Sequence, residues 1–353
     1  MRRPAAGFIL ASVLWLLAGL TVVAALVSRY GVSSAERAQL VRLRSGAETA
    51  MTSTKSDVLL LLAATRATNL GRSGANAELY VDNRVYGGRD ESLVRIQDAR
   101  GLIDLNRTTD GVLERLLVIC GAAQDQAPTL VARIRDYVDE DDLIRLNGAE
   151  RDSYAQAGLP APRNAPMQEI QELWQVLGMA AVRAEWESRG CNDLVTVDAD
   201  GLINIRTAPF KALLAAGYDE SIAKALSGDA REGEAYRTAQ SLQSFNREAN
   251  PFAASFSTYA GRTYRVQHYY PESGLQLQYW VVLNTGLPDK PWLIKGESTA
   301  ALPTALRSTW LPAKEATGSA FPPPVAPIVR LPRFDATPPK ENDSAPPKPL
   351  PFL

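Results

Sequence analysis

The alternation of apolar and polar positions divides the 353-residue chain into five stretches. Residues 8–27 are uncharged, and Ser12 and Thr21 are their only polar side chains. As a helix rising about 1.5 Å per residue, this run crosses the roughly 30 Å hydrocarbon core of a bilayer. Beyond it the pattern turns amphipathic: in AERAQLVRL, residues 35–43, apolar side chains recur at helical spacing and charges fill the other faces. The two together predict one long helix over 8–68. A stalk helix or a dimeric coiled coil has a similar pattern, but the heptads here are irregular.

Residues 78–86 (ELYVDNRVY) then read as strand, and 91–105 (ESLVRIQDARGLIDL) as strand, turn, strand around Arg100-Gly101. Residues 106–230 carry helical periodicity with frequent breaks. Thr108-Thr109-Asp110 precedes the periodic run 112–119 as an N-cap does, and 127–138 and 167–178 read as further helices. Strand pattern returns at 255–259, 262–270 and 275–284, an antiparallel meander around the turn Pro271-Glu272-Ser273-Gly274. Residues 295–353 hold thirteen of the 23 prolines and few aromatics, which predicts an extended, disordered tail. The expected class is α+β. Its order gives a membrane helix at 8–27, a spine helix with the first strands at 28–105, a helical insertion at 106–230, closing strands at 231–294 and the tail.

One segment echoes another. DARGLIDLN at 98–106 matches DADGLINIR at 198–206, each reading as turn, short strand, cap and apolar helix. Such units would carry the chain into and out of helical lobes, although a common turn recurring by chance gives the same match. Two copies make no solenoid.

Composition narrows the chemistry. A formal net charge of −1 gives no basic excess to release counterions from nucleic acid. The single histidine, His268, sits in strand pattern and reads as a structural residue rather than a base. No P-loop, Gly-x-Ser-x-Gly, Cys-x-x-Cys or His-Glu-x-x-His is present, so no enzyme is expected. Cys120 and Cys191 either pair, if the body lies in an oxidising compartment, or are two separate buried thiols.

The N-terminus gives direction. Arg2 and Arg3 flank the apolar run, so the positive-inside rule keeps the N-terminus cytoplasmic and sends the body across. A cleaved secretory signal has a shorter core, with its small-residue site after that core. Here the small residues Ala5-Ala6-Gly7 precede it. An ordinary signal anchor fits the hydropathy. Gly7-Phe8 also resembles the junction that a prepilin peptidase cuts and methylates, which leaves the apolar helix in the mature protein as a leaderless chain starting at Phe8.

Further motifs stand behind that leader, residues 1–7. Ile103-Asp104-Leu105-Asn106 with Leu113-Glu114-Arg115-Leu116-Leu117, Asp136-Tyr137-Val138-Asp139-Glu140-Asp141, Asn147-Gly148-Ala149-Glu150 with Tyr154, and Ile203-Asn204-Ile205-Arg206-Thr207-Ala208-Pro209 follow in order. So does Asn164-Ala165-Pro166-Met167 ahead of Glu172-Leu173-Trp174-Gln175-Val176-Leu177-Gly178-Met179. In this order they resemble the K-type minor pseudopilins of type II secretion systems, the general secretion pathway protein K family, from the leader to about residue 284. The resemblance implies a type IV pilin-like fold: a long N-terminal helix on a small antiparallel sheet, with a large helical domain of SAM-like or helix-hairpin-helix-like form inserted. It implies a single-pass bacterial inner-membrane protein with a periplasmic body. Its partners would be I- and J-type minor pseudopilins, the major pseudopilin, the prepilin peptidase and the inner-membrane platform. Pilin-like subunits usually carry a glutamate five residues into the mature helix; here Ser12 stands there, as in K-type subunits. A helix without that costly intramembrane charge suits a subunit with no neighbour above it, at a tip.

The resemblance also implies calcium. Asp139, Asp141 and Glu150 occupy the first, third and twelfth positions of a twelve-residue span. Ile144 and Leu143, where an EF-hand needs glycine and an oxygen ligand, exclude that motif. Arg151 stands where the family is usually acidic, and a solvated acidic loop is the alternative. Two other functions share parts of the pattern, a minor pilin of a type IV pilus and a membrane-anchored DNA-uptake receptor. The second needs a Gly-x-Gly hairpin facing phosphate, and Gly217-Tyr218-Asp219-Glu220 offers one glycine and two acids.

Overall fold

The computed structural model describes residues 6–68, 71–74, 77–227, 256–283, 286, 290–302, 304–307, 309–310 and 329–331. The first five leader residues, residues 228–255 and most of the proline-rich stretch lie outside the described residues.

The apolar and amphipathic stretches form one helix, α1 (Ala6–Ala64), of 59 residues. That is about 90 Å at 1.5 Å per residue. Among the described side chains the first buried one is Ala47, and from there Ala50, Met51, Thr54, Val58, Leu61 and Leu62 recur every three or four positions. Only the last part of α1 therefore packs on the body, and the apolar part stands clear of it.

Short strands follow: β1 (Arg66–Ala67), β2 (Gly71–Gly74), β3 (Ala77–Tyr80), β4 (Asp82–Gly87), β5 (Leu93–Asp98) and β6 (Ile103–Asp104). Stretch 78–86 is thus two strands, β3 and β4, broken at Val81, with Asn83 just inside β4 in the left-handed region at φ 68°. The inserted lobe holds α2 (Asp110–Ile119), α3 (Ala127–Val138), α4 (Arg151–Gln156), α5 (Arg183–Ser188), β7 (Val195–Thr196), β8 (Ile203–Asn204), α6 (Phe210–Ala215) and α7 (Glu220–Ser227). Instead of a helix over 167–178, a 3-10 turn spans Ile170–Gln175. Val176 is extended and Gly178 left-handed at φ 94°, which stops the helix there. The chain closes with β9 (Phe256–Ser257), β10 (Thr263–Tyr270), β11 (Leu275–Leu283), β12 (Trp292–Ala301), α8 (Thr304–Arg307) and β13 (Val329–Arg330).

The main sheet has the order β12-β11-β10-β5-β4-β13, antiparallel except for the β13–β4 pair. Along β11 the side chains alternate, with Leu277, Tyr279, Val281 and Leu283 buried. They join Tyr264, Val266, Val94 and Ile96 in a core with Met51, Val58, Leu61 and Leu62 of α1. β10 is buried on both faces because the sheet is covered twice. Arg265, on its other face, ion-pairs with Asp193 of the lobe at 3.0 Å, and Tyr269 packs against Trp310. This is the helix-on-sheet body with an inserted helical lobe that the resemblance implied.

The disordered tail expected from residue 295 is corrected for its described part. β12 runs through that boundary, and Leu302 and Trp310 are buried against Leu93 and Tyr269. The prolines of the tail begin only at Pro303, past the strand, so the proline-rich composition never applied to this segment.

The lobe has its own core. Val112, Leu113, Leu116 and Leu117 of α2 meet Leu130, Val131 and Ile134 of α3, with Trp186 fully buried among them. Cys120, at the end of α2, is disulfide-bonded to Cys191, 71 residues on. The two echo segments adopt the same turn: Asp104 accepts the N–H of Asn106 at 2.9 Å, and Asn204 that of Arg206 at 3.1 Å. Their matched positions Arg100 and Asp200 ion-pair at 2.6 Å, which ties the two copies together where lobe meets body.

Candidate functional site

Three places hold the residues singled out by the sequence. Gly7 and Phe8 lie in the first turns of α1, and Ser12 lies on its exposed apolar part. This helix is long and apolar enough to cross a membrane. α6 and α7 flank a turn at Gly217, whose φ is 97°, with Asp219 and Glu220 beside it.

The neck is built around Asp98, at the end of β5 and fully buried. One carboxylate oxygen accepts the N–H groups of Arg100 at 3.1 Å and Gly261 at 3.0 Å. The other accepts Asn204 Nδ2 at 2.9 Å and the Thr207 hydroxyl at 3.1 Å. β5, the second echo and the loop before β10 are pinned at this one group. Burial raises its pKa, and the four hydrogen bonds oppose that rise.

The acidic segment forms a cluster of carboxylates at the far end of α3. The buried face of that helix ends in Asp136 and Tyr137. Asp136 Oδ2 accepts the N–H of Ala149 at 2.9 Å and of Arg145 at 3.3 Å, while Oδ1 is buried without a hydrogen bond. Asp139, the extended residue that ends α3, accepts from Arg145 Nη1 at 3.1 Å through Oδ2, and its Oδ1 is likewise buried and unpartnered. Glu150, just before α4, is 4% exposed, and neither of its oxygens has a partner. Three carboxylates thus hold four buried oxygens without a hydrogen bond, Asp136 Oδ1 lying 3.8 Å from Arg145 Nε. Burial, then the charges of Asp136, Asp139, Asp142 and Asp141, push Glu150 up to about 7. Burial raises Asp139 also, against the pull of Arg145. A Cβ at Gly148 would stand 1.9 Å from Asp136 Oδ2, so the loop can close over this carboxylate only with glycine there.

Of the three residues expected to hold calcium, Asp139 and Glu150 have buried oxygens without a hydrogen bond. Asp141 is exposed, and its Oδ1 accepts the Leu143 N–H at 2.8 Å in a local turn. Asp136, which the spacing passed over, is fully buried beside Glu150. The signal for it was present, since Asp136 opens the Asp136-Tyr137-Val138-Asp139 run at the end of a helical stripe. As the side chains stand, no three acidic, histidine or cysteine groups among the described residues are arranged around a metal ion. The outer loop displays Leu143, Ile144 and Leu146, the last 89% exposed.

Comparison with known proteins finds likenesses over part of the chain. Residues 91–185 match the family model described as type II secretion system (T2SS), protein K. Type II secretion system protein K of Dickeya chrysanthemi is 37% identical over 70 residues, 20% of this chain and 19% of that protein. The protein of the same description from Pectobacterium carotovorum subsp. carotovorum is 34% identical over 103 residues, 24% of this chain and 31% of the other. The chain therefore matches less than a third of the length of either relative. A chain of the GspK-GspI-GspJ complex from the enterotoxigenic Escherichia coli type 2 secretion system is similar at a TM-score of 0.47 and 17% identity, covering 76% of this chain and 98% of that one.

Proposed function

We propose that this chain, whose residues 91–185 carry a type II secretion protein K domain, is a minor pseudopilin that forms or nucleates the tip of a periplasmic pseudopilus. The observation that carries this reading is the attachment of that domain. α1 runs from an apolar, membrane-length segment directly into the core of the sheet, and the K domain sits on the same sheet through the Asp98 neck. A helix of this kind suits bundling with the helices of other pseudopilins, while the bulky lobe suits a position that no further subunit must cover. The partners are other minor pseudopilins of I and J type, and then the major pseudopilin, the peptidase and the inner-membrane platform. The DNA-receptor alternative is disfavoured by Asp219 and Glu220 at the α6–α7 turn, which repel phosphate.

Calcium belongs to the same reading. Asp136, Asp139 and Glu150 offer hard oxygens with unused acceptor capacity, the donor set that Ca²⁺ takes. The ion would supply positive charge, hold the end of α3 to the start of α4, and fix the loop that displays Leu143, Ile144 and Leu146. Arg145 now supplies part of that charge and would yield to it.

The test of the pseudopilin reading is mass spectrometry of the membrane-extracted N-terminus. A chain starting at N-methylated Phe8 supports it. An intact Met1, or a cut beyond residue 27, would sink it.

A further inference from the structure

Between the end of α3 and the start of α4, residues 136–150 carry six acids and a single base, Arg145. Two of the acids, Asp136 and Glu150, are buried. Charges taken out of water are costly unless they are paired. Arg145 meets the cluster with both main chain and side chain. Its backbone N–H donates to Asp136 Oδ2 at 3.3 Å, and its Nε lies 3.8 Å from Asp136 Oδ1. Its Nη1 donates to Asp139 Oδ2 at 3.1 Å. The Gly148 N–H donates to the Arg145 carbonyl at 2.8 Å, which turns the loop back over the acids.

One guanidinium leaves this cluster unsatisfied. Four oxygens on Asp136, Asp139 and Glu150 stay buried without a hydrogen bond, both of those on Glu150 among them. A guanidinium is planar and donates along fixed directions, so it serves the two aspartates and misses the glutamate. A calcium ion has no such directionality and takes about six to eight oxygens. With Asp139 drawn to Nη1, no three described groups are placed to hold a metal ion. The arrangement is thus the one that suits the arginine. Its side chain is 45% exposed, which leaves it a way out to solvent. We propose that Arg145 is an internal counter-ion that competes with calcium for Asp136 and Asp139 and sets the concentration at which the ion enters. This rests on the calcium reading and adds that the chain carries its own competitor. Calcium then binds only by expelling the guanidinium, and more weakly than the oxygens alone allow.

The test is isothermal titration calorimetry of calcium chloride with the full chain in detergent, stripped beforehand by a chelator. Arg145→Gln should bind calcium at least about tenfold more tightly than the wild type, since a competing unit charge is gone. In chelator its thermal unfolding should begin below that of the wild type, and saturating calcium should close the gap. Arg151→Gln separates displacement from a general field. Arg151 follows Glu150 directly, is exposed and has no ion pair among the described residues. Loss of its charge should change calcium affinity by less than about threefold, because solvent screens it. A folded Arg145→Gln that binds calcium no more tightly than the wild type overturns the proposal. So does Arg151→Gln if it tightens binding as much as Arg145→Gln, since charge alone would then account for both. Either outcome leaves the calcium reading standing. If neither the wild type nor Arg145→Gln takes up calcium, that reading fails and this proposal with it.

Discussion

Asp98 and Glu150 are both carboxylates taken out of water, and the protein treats them oppositely. Asp98 receives four hydrogen bonds from three separate segments and serves as a joint. Glu150 receives none on either oxygen and lies beside Asp136 and Asp139. A buried polar group left without partners costs free energy that a joint of this kind recovers. The neck is therefore complete as it stands, whereas the acidic cluster leaves four buried oxygens without a hydrogen bond.

The largest effect expected on this contrast comes from the disulfide. The segment between Cys120 and Cys191 contains the whole acidic cluster but not Asp98. Closing a loop of about 72 residues contributes about 4 kcal/mol in the chain-entropy account. Cys120→Ala with Cys191→Ala should cost the lobe that much in denaturant unfolding and weaken calcium binding, while the sheet keeps its own midpoint. A single unshifted transition would refute the separation of lobe from body.

Next in size is Asp98→Ala, expected to cost about 3 kcal/mol because it strands buried donors at Asn204, Thr207 and Gly261. Calcium should make no difference to the loss. Limited proteolysis should show faster cutting near residues 98–106 and 198–206. Equal losses with and without chelator are the readout that separates this site from the acidic cluster.

Glu150→Gln should act with the opposite sign. The pKa of Glu150 is raised from 4.5 to about 7, so the folded chain holds this proton more firmly than the unfolded one. Its contribution is fully present below about pH 4.5 and is lost as pH rises through about 7. Between pH 5.5 and 7 the calcium-free wild type should lose about 2 kcal/mol relative to Glu150→Gln. A flat difference between the two across that window would show that Glu150 is solvated.

The sequence made the joint less legible than the scaffold. The strand at 275–284 and the helix at 127–138 were read directly, because one face of each element is buried and the other is not. Residues 127–138 matched α3 to the residue. The echo at 98–106 and 198–206 was visible, but not that Arg100 would pair with Asp200 or that Asp98 would gather Gly261, 163 residues away. Such contacts are set by topology, on which local pattern is silent. The 3-10 turn at Ile170–Gln175 has helical periodicity without helical length, and only the left-handed Gly178 marks the difference.

The smallest predicted change, that of Asp141→Asn, is set against Asp136→Asn to decide which aspartate the proposed calcium site uses. Spacing alone chose Asp141, yet that side chain is exposed and occupied by the Leu143 N–H, while Asp136 is fully buried with Oδ1 free of hydrogen bonds. An ion that binds only the folded chain raises stability by about 2.7 kcal/mol at a hundred times its dissociation constant. Asp141→Asn should keep that gain to within about 0.5 kcal/mol, the usual range for an exposed substitution. Asp136→Asn should abolish it, because the amide brings a donor and removes a charge where only oxygen acceptors serve. Thermal unfolding of both variants at matched free calcium gives the answer. Retention in Asp136→Asn with loss in Asp141→Asn would move the ion out to the exposed loop and leave the unpartnered oxygens of Glu150 without an account.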